Sequence, residues 1–249
     1  MLSTSVFSQV NIMGKPGTVN TPTALWLEEQ PLGLSVARLP GEYSMFTREI
    51  GDEVYFYNAR VNFTTFLAAN LSIAYRREIA EQNRLGIGDR QFDLRIKLLN
   101  EKRWVPAIVF GISPPGSAAP YLSHDYIVLT KNFEHSLGDL QVSAGYGSPY
   151  VFRREKDSDS YFDVFVEKKS DFLDTNYLSG FFGSIIYKPV AWSGLMLEHD
   201  SNTINAGLFV TPLNWLSLQL TSYELKEFSY SASVNFKLDL LPQKLRTDE

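Results

Sequence analysis

His199, Ser201 and Asn202 place an imidazole, a hydroxyl and a carboxamide in one short stretch, the nearest approach in this chain to an activated nucleophile. On a strand, His199 and Ser201 would share a face with Leu195 and Leu197. A serine facing lipid with a base beside it is an arrangement that could cleave a lipid ester. A strand running into a polar turn explains the same residues without chemistry, and it is the preferred reading because a motif needs its structural context. The other histidines, His124 and His135, are far away in sequence. Asp157, Asp159 and Asp163 could offer oxygens to calcium, but they lack the glycine and the terminal glutamate of a calcium loop, so a solvated loop is expected. The expectation is therefore no enzyme, no metal and no cofactor.

A third group has a different character. Arg60, Asp93, Arg95, Lys97, Glu198 and Asp200 carry charges of both signs and sit at alternate positions in otherwise apolar stretches. The stretch around Asp93 shows the pattern best: Phe92, Leu94, Ile96 and Leu98 alternate with Asp93, Arg95 and Lys97. A β-strand sends successive side chains to opposite faces, so one face is greasy and the other ionic. A polar turn over Asn100 to Arg103 and an apolar run from Trp104 to Ile112 complete a hairpin. The same alternation recurs in Tyr55 to Phe63, in Leu216 to Thr221 and in Ser229 to Leu238, whereas Asp125 to Lys131 alternates poorly. A soluble sandwich would bury the greasy faces. A membrane barrel turns them outward and encloses the polar ones.

Thirteen segments read as strands, starting near Leu32 and ending with the one that begins near Phe228. Bacterial barrels use an even number. The weakest candidate, Ser160 to Lys168, follows the polar run Arg153 to Asp159 and is assigned to a long loop, Ser148 to Leu178. That leaves an all-β, antiparallel transmembrane β-barrel of about twelve strands (roughly 10–14). Long outer loops then alternate with short periplasmic turns, and Trp26, Trp104, Trp192 and Trp215 fall at the inner strand ends, where an interfacial aromatic girdle belongs. Residues 1–24 are expected to be a processed signal remnant and N-terminal periplasmic segment, 25–239 the barrel and 240–249 a polar tail. The lumen charges would pair to fill a narrow interior or line a path for a polar chain. A lumen plugged by those charges or by the Ser148 to Leu178 loop is favoured, with little conductance.

Bulk properties fit. A mean hydropathy of −0.13 and the lack of a long apolar run exclude helical spans. A net charge of −5 with no basic cluster argues against nucleic acid as a partner, and zero cysteine removes thiol chemistry.

Several ordered pieces resemble the YjbH-like family of Gram-negative outer-membrane proteins, which is associated with exopolysaccharide and capsule production. They are Gly14 to Thr23 (GKPGTVNTPT), Gly88 to Leu99, Trp104 to Ile112, Tyr126 to Lys131, Gly145 to Gly147 and Leu197 to Leu208. Ser113 to Ser117 (SPPGS) departs from the pattern, which has an Asp and Gly-Thr-Gly there. The resemblance implies an outer-membrane location and a part in exopolysaccharide or capsule production or export, and it supplies no catalytic residues. The alternative is a non-conducting structural or assembly partner of a larger complex. Expected partners are outer-membrane lipid, with polysaccharide and other envelope proteins as candidates.

Overall fold

The computed structural model describes residues 9–43, 53–76, 87–117, 119, 122–154, 163–171 and 177–237. The signal-like start before Gln9, the C-terminal tail, Asp157 and Asp159 lie outside them. Twelve strands close into one barrel in which each pairs antiparallel with its neighbours. They are β1 (Leu32–Leu39), β2 (Val54–Asn62), β3 (Leu67–Arg76), β4 (Ile87–Leu99), β5 (Ala107–Ile112), β6 (Tyr126–Phe133), β7 (Asp139–Gly147), β10 (Gly180–Val190), β11 (Ser193–His199), β12 (Ile204–Leu213), β13 (Leu216–Tyr223) and β14 (Glu227–Phe236). The barrel shuts between β1 and β14, where Leu34 faces Val234 and Ser35 faces Ser233.

The stretch read as one long loop is more ordered than expected. It contains a separate hairpin, β8 (Tyr150–Arg154) with β9 (Val164–Lys168). The connections at the end of the barrel where β1 begins are short, and the long ones lie at the other end, which also carries the short turns 200–203 and 224–226.

The outward faces are apolar. Leu218 is 41% exposed and Leu220 45%, whereas Ser217, Gln219 and Thr221 between and beside them are buried. Tyr126, Val128 and Thr130 point inward and Ile127 and Leu129 outward, which settles the ambiguous sixth strand. Among the described residues no second sheet covers the greasy faces, so this is the inverted pattern of a transmembrane barrel.

The interior is filled, and by a segment that was expected elsewhere. Residues 9–25 are all buried, inside the barrel instead of beneath it. Ile12, Met13, Val19 and Ala24 pack with inward-facing Leu39, Val54, Phe56 and Val128 and with Tyr177 and Leu178 of the long loop. A run rich in Gly, Pro, Thr and Asn has no helical or strand period, and its backbone must still be paired when it is buried. It pairs partly with itself: Ile12 N donates to Val19 O at 2.9 Å, Thr18 N to Thr21 O at 3.0 Å and Thr23 N to Pro16 O at 2.8 Å. Gly14 has φ +74°, and a Cβ there would lie 2.4 Å from Asn58 Cβ, so only glycine fits against the wall.

A second close approach is testable. A Cβ on Gly111 would stand 2.2 Å from Tyr126 Cε1. That ring cannot retreat, because it is stacked on His124 at 5.6 Å and meets Phe182 edge-on at 6.3 Å. Gly111→Ala should destabilise the barrel by about 1–3 kcal/mol, read as a lower temperature for the gel-mobility shift between folded and unfolded barrel.

Candidate functional site: the lumen and its plug

Parity places the lumen charges. Arg60 lies on β2, Asp93, Arg95 and Lys97 on β4, and Glu198 on β11, with Asp200 just beyond it. Arg60, Asp93, Arg95, Glu198 and Asp200 are buried, and the Lys97 side chain nearly so. They were expected to pair with one another or line a path. Instead Asp93, Arg95, Glu198 and Asp200 hold the plug, Lys97 reaches Glu28 just after it, and Arg60 bonds within the wall.

Glu198 is the densest anchor. Its carboxylate accepts from Thr18 Oγ1 at 2.5 Å, Val19 N at 3.0 Å, Asn20 N at 2.8 Å, Thr21 N at 3.0 Å and Thr21 Oγ1 at 3.0 Å. Successive backbone N–H groups curl around one anion, so residues 18–21 form a nest. Asn205 Nδ2, from the neighbouring strand, donates at 3.1 Å. Asp200 accepts from Asn20 Nδ2 at 2.5 Å and from Asn205 Nδ2 at 3.0 Å. The tip is closed from above by Tyr177, whose hydroxyl donates to Asn20 O at 2.8 Å, and by Tyr223, which donates to Asn20 Oδ1 at 2.9 Å.

On the facing wall Lys15 Nζ lies 3.1 Å from Asp93 Oδ2, both fully buried, and also contacts His124 Nε2. Burial keeps His124 well below its ordinary range, helped by the Lys15 charge, so the ring is neutral. With Nε2 facing an ammonium, the proton sits on Nδ1 and is donated to Leu122 O, 2.7 Å away. Asn70 and Ser72 donate to Met13 O at 2.7 and 3.0 Å, and Asn58 Nδ2 donates to Ile12 O at 3.0 Å. Arg95 donates to Thr23 O at 2.6 Å and Leu25 O at 3.3 Å. Arg60 donates to Asn62 Oδ1 and Asn235 Oδ1, each at 2.9 Å, and Lys97 reaches Glu28 at 2.7 Å. The plug is thus gripped on opposite walls by groups of opposite kind.

Burial pushes Lys15 down to about 8, against the opposing pull of Asp93. Below that pH Lys15 is charged whether docked or not, and the cost of burying the charge is present in full. Between about 8 and the ordinary lysine value of 10.5 the undocked plug holds the extra proton. Docking should therefore tighten as pH rises through that window. The rate of proteolysis within residues 9–27 at pH 7.5 and at pH 9.5 measures it, and the lower pH should give the faster cut.

Trp26 does not join a girdle. It belongs to the plug stem, where its ring lies 5.6 Å from the Arg95 guanidinium carbon and 5.4 Å from Lys97 Nζ. A tryptophan just before the first strand mimics a rim position, but the stem turns inward. Trp104, Trp192 and Trp215 lie in or beside short turns with exposed rings. His199 and Ser201 are not joined: His199 Nδ1 lies 3.2 Å from Thr203 O, and Ser201 Oγ has no hydrogen-bond partner. Asp163 is exposed, and among the described residues no group of three acidic, histidine or cysteine side chains could hold a metal ion.

Sequence reasoning missed Lys15, Thr18, Asn20 and Thr21 as site residues, together with His124, Tyr177, Asn205 and Tyr223. The available signal is the stretch Gly14 to Thr23, which carries the family resemblance yet reads as part of an N-terminal periplasmic segment.

A family model described as exopolysaccharide biosynthesis protein YbjH matches residues 9–240. No curated protein matches the sequence. Among solved structures, the crystal structure of the Salmonella typhi outer membrane phospholipase dimer with bound calcium is similar at 9% identity and a TM-score of 0.39. The similarity covers 86% of this chain and 92% of that one.

Proposed function

The chain belongs to the YjbH family of exopolysaccharide biosynthesis proteins, and from that membership we propose that it works in the outer membrane of a Gram-negative envelope, in exopolysaccharide or capsule production or export. The observation that carries the membrane part is the inversion of the strands: leucines outward, serines, glutamine and threonine inward. We further propose that it is not an enzyme. Its lumen residues hold the plug at rest and would meet polysaccharide only once the plug has moved.

The filled lumen also supports a second reading, a non-conducting partner barrel in a larger envelope complex. Deletion of the gene, with surface polysaccharide scored before and after complementation, tests the shared claim: unchanged polysaccharide would overturn both readings. Planar-bilayer currents separate them. Conductance blocked by carbohydrate after plug release favours export, and a barrel that stays closed while co-purifying with envelope proteins favours the partner role.

A further inference from the structure

The hairpin β8–β9 stands outside the barrel, and an isolated two-stranded hairpin is at best marginally stable in water. One of its faces is partly covered: Val151 is buried although Phe165 on that face is exposed, and Lys169 N, just after β9, extends the ladder by donating to Pro149 O at 2.9 Å. The same side carries the ion pair Arg153–Glu167 at 2.6 Å. The other face is set by the register, which places Tyr150 opposite Lys168, Phe152 opposite Val166 and Arg154 opposite Val164. Tyr150, Phe152, Val164 and Val166 are all exposed, Val166 at 57%.

Two observations say what covers this face. First, it follows in sequence directly on a barrel strand whose outward face is apolar. Along β7, Leu140, Ala144 and Tyr146 are exposed while Gln141, Ser143 and Gly147 are buried. The pairing with the β6 side runs on through Ser148 N to Asp125 O at 2.7 Å; the chain then bends at Pro149 into the separate hairpin, where Tyr150 and Phe152 are the exposed positions of β8. Second, the apolar centre is flanked on its own face by basic side chains, the exposed Lys168 at the barrel end and the half-buried Arg154 toward the tip. Aromatic and aliphatic residues bracketed by long basic side chains suit the boundary between acyl chains and anionic headgroups.

We propose that the Tyr150, Phe152, Val164 and Val166 face of this hairpin seats in the headgroup layer of the leaflet on the long-loop side, with Lys168 against lipid phosphates. The proposal rests on the outer-membrane reading. It makes the hairpin a membrane-lying flap instead of a loop standing in water.

The chain has no cysteine, so single labels are clean. Bimane is attached to Val166→Cys, or to Leu218→Cys on the barrel belt, and the full chain is reconstituted into phosphatidylglycerol vesicles carrying doxyl lipids. The expected result is that shallow doxyl groups quench the Val166 label by roughly twofold. Lys168→Glu should remove most of that quenching and leave the Leu218 label unchanged. A quenched Leu218 label with an unquenched Val166 label overturns the flap alone, and two unquenched labels overturn the membrane reading as well. Quenching at Val166 that appears only at high protein-to-lipid ratio points to a second copy of the chain and also overturns the proposal.

Discussion

Glu198→Ala is expected to free the plug and raise ion conductance through the reconstituted barrel. The substitution removes the acceptor for three backbone N–H groups and two hydroxyls of residues 18–21 at once. These donors lie in a dry interior, and each buried donor left unpaired costs about 1–3 kcal/mol. The sum exceeds what a segment of this size can recover from its few apolar contacts, so the docked state should give way to water-filled ones. Glu198→Gln keeps the shape and one acceptor oxygen, and its effect should be intermediate. Single-channel recording is the measurement. A Glu198→Ala barrel as silent as the parent would mean that the nest does not hold the plug.

The second large effect is expected at the opposite wall. Asp93→Asn strands the Lys15 ammonium in a fully buried site close to Arg95. Breaking a buried ion pair from one side typically costs about 3–5 kcal/mol. Lys15→Met alone should cost less, because the Asp93 carboxylate still lies near the Arg95 guanidinium. The double variant Lys15→Met with Asp93→Asn should recover much of the loss, since no uncompensated charge remains. A double-mutant cycle on the rate of plug proteolysis reads the coupling directly. Strict additivity of the two single effects would show that the pair contributes nothing.

Much of the wall could be read from residue order because a strand has a period of two. Phe92 through Leu98 and Ser229 through Phe236 announce which side chains share a face, and that parity alone puts Asp93, Arg95 and Glu198 in the interior. It cannot say what they meet there. Thr18 and Glu198 are 180 residues apart, and no local rule links a threonine in an irregular segment to a glutamate on a distant strand. The plug itself is invisible to periodicity for the same reason: Gly14, Pro16, Gly17 and Pro22 forbid regular structure, so the segment looks like a terminus. The hairpin β8–β9 is half legible: Ser160 to Lys168 reads as a weak strand, whereas the polar run that begins at Arg153 hides the short strand Tyr150 to Arg154.

The most direct test is the reactivity of a single thiol at Thr23. Its hydroxyl has no hydrogen-bond partner in the buried plug, so Thr23→Cys removes no hydrogen bond and only one methyl group. Leu225→Cys, in the exposed turn between β13 and β14, is the reference. In intact membranes a bulky maleimide should label Leu225→Cys readily and leave Thr23→Cys untouched until the sample is heated. Equal labelling of the two in unheated membranes would contradict a lumen filled by the chain's own N-terminal segment.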